Sequence, residues 1–278
     1  MGAYIATKGV ATYAPPAAFA SQAVGSANER SAFMLMEEFF EQVSTQLEKV
    51  SETQGAAIEA AARLILDTLR GGHRIFVFGS GHSNLLTSEI VYRAGEVPIY
   101  TPIFVGGLLP TDYPYHRGAL LERTSGIAAS VLDSIPVKEG DAIMVISNSG
   151  RNHVPVEMAL GARARGLKVI ALTSLGFSSQ VPSRHPSGKK LYELADVVLD
   201  NCAPHGDAAV EVPGARGRIG PLSTILGATI LHALSCKICD LVLEMGLTPA
   251  VCRSANLAEG EARPIKIAES LEEFVSQE

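Results

Sequence analysis

The stretch Ile75-Phe76-Val77-Phe78-Gly79-Ser80-Gly81-His82-Ser83 joins an apolar run to a turn of glycine and serine. A second stretch has the same design, since the apolar run Ala142–Ile146 is followed by Ser147-Asn148-Ser149-Gly150-Arg151-Asn152. Each apolar run predicts a buried strand, and the residues after each turn have the spacing of a helix. The two stretches predict an α/β protein with two strand–turn–helix units.

Both turns are suited to hold an anion. The first N–H groups of a helix lack partners inside the helix, and the helix dipole adds positive charge there. Serine hydroxyls add donors that rotate to meet phosphate oxygens. Neither turn is a dinucleotide fingerprint, because the third glycine is missing, and the chain has no P-loop Gly-Lys-Ser/Thr. Two such turns predict a phosphorylated small-molecule ligand.

The composition narrows the class of protein. The chain has 278 residues, of which 47% are hydrophobic and 19% charged, enough for a large core. A net charge of −6 without a basic run argues against nucleic acid and anionic membranes as partners. No apolar run reaches the roughly 20 residues of a membrane span, and residues 1–28 lack a signal-peptide core. We therefore expect a cytoplasmic protein.

The cysteines predict no metal site. Cys236 and Cys239 have CxxC spacing, but no second pair completes a zinc site. Together with Cys202 and Cys252 they are expected to be buried free thiols in a reducing compartment.

The apolar pattern predicts one domain over residues 29–260, between a loosely ordered extension at 1–28 and a C-terminal tail at 261–278. Helical spacing covers 29–70, with a break near 51–55. Strands are then predicted at 74–79, 97–102, 141–147, 168–173 and 196–201, and helices near 84–95, 119–133, 153–166, 189–194 and 221–246. Strands that are apolar throughout are typical of a parallel sheet covered by helices on both faces. The pattern favours a three-layer αβα sandwich.

The strand order brings the two turns together. In a five-stranded parallel sheet of the flavodoxin-like order 2-1-3-4-5, strands 1 and 3 are neighbours, and ligands bind beyond their carboxyl ends. Both turns leave those ends. They are expected to face each other across one crevice and to share a ligand.

At these residues the chain resembles the SIS (sugar isomerase) domain family, whose α/β fold binds phosphosugars. The first turn resembles that family's Gly-x-Gly-x-Ser motif, and Ser147-Asn148-Ser149-Gly150 resembles its Ser-x-Ser-Gly phosphate loop. The resemblance covers roughly residues 37–256 and includes similar stretches at 169–174 and 191–199. A narrower resemblance is to a bacterial phosphoheptose isomerase-like subgroup, through the stretches 89–95, 183–189, 220–224 and 253–257. The family implies a sugar-phosphate ligand and a homodimer with sites near the subunit interface.

The resemblance also implies which residues bind the phosphate and sugar. They are Gly79, Ser80, Gly81, Ser83, Ser147, Asn148, Ser149, Gly150 and Asn152, and Asn152 stands where many relatives have Ser or Thr. Phosphoheptose isomerases bind zinc through His and Glu one turn apart on the first helix. Here Glu89 and Arg93 occupy those places, and arginine is not a zinc ligand. We therefore expect neither a metal nor a cofactor.

Aldose–ketose isomerisation needs a base that moves a proton between C1 and C2, and an acid that serves O1 and O2. Glu89 and Glu122, on the helices after strands 1 and 2, are the candidate bases. Alternatively, Glu89 pairs with Arg93 at i+4 and Glu122 is a surface charge. The candidate acids are His82, which could instead bond a loop carbonyl, and His205, which follows strand 5.

Two further features leave alternatives open. His232 lies in an apolar helix and is expected to be a core histidine. A basic loop holds His185 among cationic side chains, and it is either a solvated lid or a source of positive charge near the phosphate. Its cationic side chains are those of Arg184, Lys189 and Lys190.

Three functions stay open. The leading interpretation is a sugar-phosphate isomerase that works through an enediol. A lyase or etherase of the same fold would abstract the same proton. A non-catalytic sugar-phosphate sensor or accessory subunit would bind the ligand without turnover, and the acidic chain disfavours a DNA-binding version of it.

Overall fold

The structure is a computed structural model that describes residues 3–7, 10–14, 34–254, 256 and 266–276. Of the predicted extension, the described residues form two antiparallel strands, β1 (Ala3–Thr7) and β2 (Val10–Ala14), and the rest of 1–28 lies outside the described residues. Two long helices follow, α1 (Leu35–Thr53) and α2 (Gly55–Arg70), with Gln54 between them. The break expected near 51–55 is confirmed.

Five parallel strands form the central sheet. They are β3 (Ile75–Gly79), β4 (Tyr100–Ile103), β5 (Ala142–Ile146), β6 (Lys168–Thr173) and β7 (Val197–Asp200). The sheet order is β4-β3-β5-β6-β7, which is 2-1-3-4-5 for these five strands. The predicted order and the adjacency of the first and third strands are confirmed.

Helices cover both faces of this sheet. One face packs on α1, α2 and two further helices, α3 (Ser83–Ile90) and α8 (Ser223–Glu244). The other face packs on α5 (Ile127–Ser134) and α6 (His153–Ala164). Strand side chains alternate between the two layers, so that Ile75 and Val77 lie in the first core and Phe76 and Phe78 in the second. The three-layer αβα sandwich is confirmed.

The helix predicted near 189–194 is only a 3-10 turn, Leu191–Glu193, and two other predicted helices also differ from the structure. The helix expected at 84–95 ends at Ile90, because Val91 is extended and Tyr92 adopts a positive φ of 50°. The helix expected at 119–133 is two helices, α4 (His116–Leu121) and α5, which residues 122–126 separate. Gly126, the N-cap residue of α5, has a φ of 87°, a left-handed conformation that a continuous helix does not contain. This break leaves Glu122 at the C-terminal end of α4.

Several short elements were not predicted. They are α7 (Leu175–Ser178), the antiparallel pair β8 (Ala208–Glu211) and β9 (Arg218–Pro221), and α9 (Leu271–Val275). Helix α9 belongs to the predicted C-terminal tail, and its Phe274 is fully buried in the first core. This part of the tail therefore packs on the domain.

Among the described helices, only α8 is long and apolar enough to cross a membrane. Half of its apolar window is buried inside the protein, and core helices of this kind have the same composition. Its Leu226, Ile230 and Leu234 are fully buried in the first core. The helix is thus weak evidence for a membrane span.

Candidate functional site

The first turn begins where β3 ends. A Cβ on Gly79 would lie 2.5 Å from the carbonyl oxygen of Ser83, so only glycine lets the strand end approach the helix start this closely. Ser80 is buried, and the N–H of Gly81 donates to the carbonyl of Leu108 at 2.7 Å. The Ser83 hydroxyl makes no hydrogen bond to any described residue. The turn therefore presents an unpaired donor at the first residue of α3.

The second turn begins where β5 ends. Gly150, with a φ of 57°, donates its N–H to the Ser147 hydroxyl at 3.2 Å. Asn148 faces inward, since its side-chain oxygen accepts a hydrogen bond from Asn201 at 3.0 Å. Ser149 is half-buried and makes no hydrogen bond within the described part of the chain. Ser149 is thus the free donor of this turn, and Asn148 shapes it.

Glu122 lies between the two turns. Its Oε1 accepts a hydrogen bond from the Ser80 hydroxyl at 2.7 Å, and its Oε2 accepts one from Asn152 Nδ2 at 2.8 Å. Its own backbone carbonyl accepts the N–H of Val154 at 3.1 Å. Because one side-chain donor comes from each turn, the expected convergence of the turns is present, and a carboxylate stands at the junction.

The family follows from the sequence comparisons. The SIS domain model matches residues 38–174, a span that holds both turns and Glu122. A UPF0309 protein of Streptomyces coelicolor is 38% identical over 239 residues, covering 86% of this chain and 95% of that protein. The chain belongs to the UPF0309 family of SIS-domain proteins. A second UPF0309 protein, from Halalkalibacterium halodurans, is 44% identical over 211 residues, covering 76% of this chain and 87% of that protein.

Solved structures with this fold include a phosphoheptose isomerase of Neisseria gonorrhoeae. It aligns with a TM-score of 0.48 and 19% sequence identity, covering 77% of this chain and 98% of that one.

A second polar cluster of the SIS domain surrounds Glu89. Its carboxylate pairs with Arg93 at 2.8 Å, as the i+4 interpretation expects, and also lies 3.3 Å from Nε2 of His232. The other ring nitrogen of His232 is hydrogen-bonded to the buried carboxylate of Glu96, which also accepts the Ser235 hydroxyl at 2.6 Å. His232 is therefore not the core histidine that the sequence suggested, since its side chain is 40% exposed and bridges two carboxylates.

Neither of the two histidines predicted as acids forms a hydrogen bond or ion pair with Glu122 in the described part of the chain. His82 is exposed in the first turn, and none of its side-chain atoms has a partner among the described residues. His205 is exposed and stacks edge-on against Phe177 of α7, with ring centroids 4.7 Å apart. The structure brings Ser80, Glu122 and Asn152 into contact, but it joins neither histidine to them.

The basic loop lies on the second turn. The backbone N–H of Arg184 donates to the carbonyl of Arg151 at 2.9 Å, and its Nη1 donates to Asn152 Oδ1 at 2.8 Å. Lys190 Nζ donates to the carbonyl of Ser178 at 2.7 Å, which anchors the far end of the loop. The sequence left open whether this loop adds charge near the turns, and Arg184 does.

The cysteines correct one expectation. Cys202 and Cys252 are buried and Cys239 is partly buried, but Cys236 is exposed on α8. All four are free thiols. In the described part of the chain, no group of three His, Cys, Asp or Glu side chains is arranged to hold a metal ion.

Proposed function

We propose that the two turns bind the phosphate of a sugar phosphate and that Glu122 is the base of an aldose–ketose isomerisation. The observation that carries this proposal is the pair of hydrogen bonds that Glu122 accepts from Ser80 and Asn152. A carboxylate held by both turns lies beside any ligand whose phosphate those turns grip. That is the position a proton-transferring base requires.

The phosphate would be held by donors that are unpaired in this structure. They are the hydroxyls of Ser83 and Ser149 and the backbone N–H of His153, the first residue of α6, none of which has a partner among the described residues. Ser147 can add its hydroxyl hydrogen, because it uses only a lone pair toward Gly150. Gly79, Gly81, Gly150 and Asn148 would then act by shaping the turns.

The proposed role of Glu122 as a base follows from the free lone pairs of its carboxylate. Each carboxylate oxygen accepts one hydrogen bond here and has a further lone pair available. Glu122 would take the proton from C2 of the sugar and return it to C1, through an enediol. A proton must also move between O1 and O2, and His82 and His205 are the proposed acids because both rings are exposed at the carboxyl edge of the sheet.

A second candidate for the base is Glu89. It is favoured by its contact with His232 at 3.3 Å, since a carboxylate and a histidine in contact supply both the base and the proton shuttle. The buried Glu96 would orient the ring from its other side. Arg93 holds Glu89 in place.

Exchange of the C2 proton in deuterated solvent tests the proposal. Glu122→Gln keeps both hydrogen bonds, because the amide oxygen accepts from Asn152 and the amide nitrogen donates to Ser80. We expect exchange to fall about 100- to 10,000-fold in this variant. Glu89→Gln tests the second candidate, and Glu59→Gln, an exposed carboxylate on α2, is the matched control.

The outcome of the exchange experiment also distinguishes an isomerase from a lyase or etherase and from a non-catalytic binding protein. Exchange with release of a fragment would identify a lyase or etherase. Binding of sugar phosphates without any exchange would identify a sensor or accessory subunit. Full exchange in both Glu122→Gln and Glu89→Gln would refute both candidate bases.

The biological setting is also a proposal. We propose a cytoplasmic homodimer whose SIS domain spans residues 29–260 and works without a metal or cofactor. Sedimentation equilibrium of the full chain measures the assembly, and a monomer at micromolar concentration would contradict it.

A further inference from the structure

Three arginines gather at the Glu122 end of the crevice. Arg184 is bonded to Asn152 through its guanidinium and to Arg151 through its backbone. Arg123 directly follows Glu122 in the chain. Arg151 belongs to the second turn itself. The Arg184 guanidinium therefore lies at the Glu122–Asn152 contact, and the charges of Arg123 and Arg151 are near enough to act on it.

These charges are not neutralised by the described part of the protein. None of the three arginines forms an ion pair with a described carboxylate, and the buried Nε of Arg151 has no hydrogen-bond partner there. Glu122 is the nearby carboxylate, and it already accepts bonds from Ser80 and Asn152. The pKa of Arg184 is lowered by burial first, and then by the charges of Arg151 and Arg123. The three arginines therefore repel one another, although the chain as a whole has a net charge of −6.

One phosphate does not require this cluster. The hydroxyls of Ser83, Ser147 and Ser149 and the backbone N–H at the start of α6 already supply donors for a single phosphoryl group. A guanidinium recognises carboxylate and phosphate through paired N–H donors. Cations held together without a counterion are stabilised when an anion joins them.

We infer that the ligand of the crevice carries a second anionic group, a carboxylate or a further phosphate, that binds to Arg123, Arg151 and Arg184. The inference rests on the proposed function, because it takes the serines as the holders of the first phosphate. It narrows the substrate class to doubly anionic sugar phosphates. The basic loop at Arg184 is then part of the ligand site.

Small anions test this inference without knowledge of the sugar. Titration calorimetry compares methyl phosphate, which has one anionic group, with phosphoglycolate and pyrophosphate, which have two. We expect the doubly anionic probes to bind roughly tenfold tighter or more at low salt, since one charge-assisted contact has that effect. The difference should shrink as salt screens the charges. A comparison of phosphoglycolate with pyrophosphate shows whether the arginines prefer a carboxylate or a phosphate as the second anionic group.

Variants assign the effect to the arginines. Arg123→Gln and Arg151→Gln should each reduce the preference for two anionic groups, and Arg151→Lys should keep part of it. Arg63→Gln on α2, which pairs with Glu59 at 2.6 Å, is the matched control and should retain the preference. Equal affinity for the three probes, or a preference that both glutamine variants keep, would overturn the inference.

Its failure is distinguishable from failure of the proposed function. Methyl phosphate binding that Ser149→Ala weakens supports the phosphate site, whatever the arginines do. If neither methyl phosphate nor glucose 6-phosphate binds, the proposed function itself is wrong, and the inference with it.

Discussion

Asn152 donates a hydrogen bond to the carboxylate of Glu122, 30 positions earlier in the chain, at 2.8 Å. The amide of Asn152 also accepts a bond from Arg184, so that it connects a cation to a carboxylate. Asn152 is buried at the start of α6, immediately after the second turn. The resemblance implies Ser or Thr at this position in many relatives. The asparagine found here has two defined hydrogen-bond partners, Glu122 and Arg184.

Asn152→Ala removes both contacts at once. Glu122 Oε2 and Arg184 Nη1 each lose a partner in a partly buried site, and we expect a loss of about 1–3 kcal/mol in unfolding free energy. Urea denaturation measures the loss. Asn256→Ala, at an exposed asparagine, is the matched control and should change stability by less than about 0.5 kcal/mol. An Asn152→Ala protein as stable as the control would show that these contacts contribute nothing.

Gly79→Ala tests the close approach of β3 and α3. The added Cβ would lie 2.5 Å from the Ser83 carbonyl oxygen and 2.7 Å from its carbon, so the first turn must shift. We expect a cost of about 1–3 kcal/mol and weaker phosphate binding. Gly55→Ala is the matched control, because its Cβ meets nothing within 4 Å, and it should be neutral or stabilising by about 0.4–1 kcal/mol. Thermal melts with and without inorganic phosphate give both quantities, and a melt of Gly79→Ala like that of the wild type would contradict the steric argument.

The sheet could be predicted from the sequence because burial on both faces leaves a local signal. The strand at 168–173 was predicted with the bounds of β6, since Val169, Ile170, Ala171 and Leu172 are all buried. The pair β8 and β9 was missed because only Ala209 and Val210 are buried there, and the connecting residues are exposed. Short strands outside the core have too few apolar residues to predict.

The candidate site was predictable only in part. The glycine–serine turns are local, and the strand order was enough to bring them together. The contact of Glu122 with both turns depends on the break before Gly126 and on the packing of α6, which no local pattern contains. His232 was misread because its partner Glu96 is 136 positions away in the chain. The one available signal was the position of Glu96 directly before the apolar stretch predicted as a strand at 97–102, since a carboxylate buried with that stretch needs a partner.

His232→Gln tests whether the cluster around Glu89 stabilises the fold or takes part in catalysis. The buried carboxylate of Glu96 loses the ring nitrogen that bonds to it, and Ser235 remains as its donor. We expect a loss of about 1–3 kcal/mol in stability, measured by urea denaturation. If Glu122 is the base, C2 exchange should persist in the folded variant. His116→Gln, at an exposed histidine of α4, is the control. Loss of exchange at full stability would instead favour the Glu89–His232 pair.

Alkaline pH should destabilise the protein through Cys239. Burial, with smaller contributions from Cys236, Asp240 and Glu96, raises the pKa of this thiol from 9.0 to about 11. The folded state holds the proton more tightly than the unfolded state, so the stabilising contribution is fully present below pH 9 and is lost as the pH rises toward 11. The loss should stay below about 1.4 kcal/mol per pH unit. Melts at about pH 7 and about pH 10.5 measure it for wild type, Cys239→Ala and the exposed Cys236→Ala. Because Cys239→Ala removes the titrating group, its melting temperature should fall less between the two pH values than in the other two proteins. An equal fall in all three would contradict the assignment.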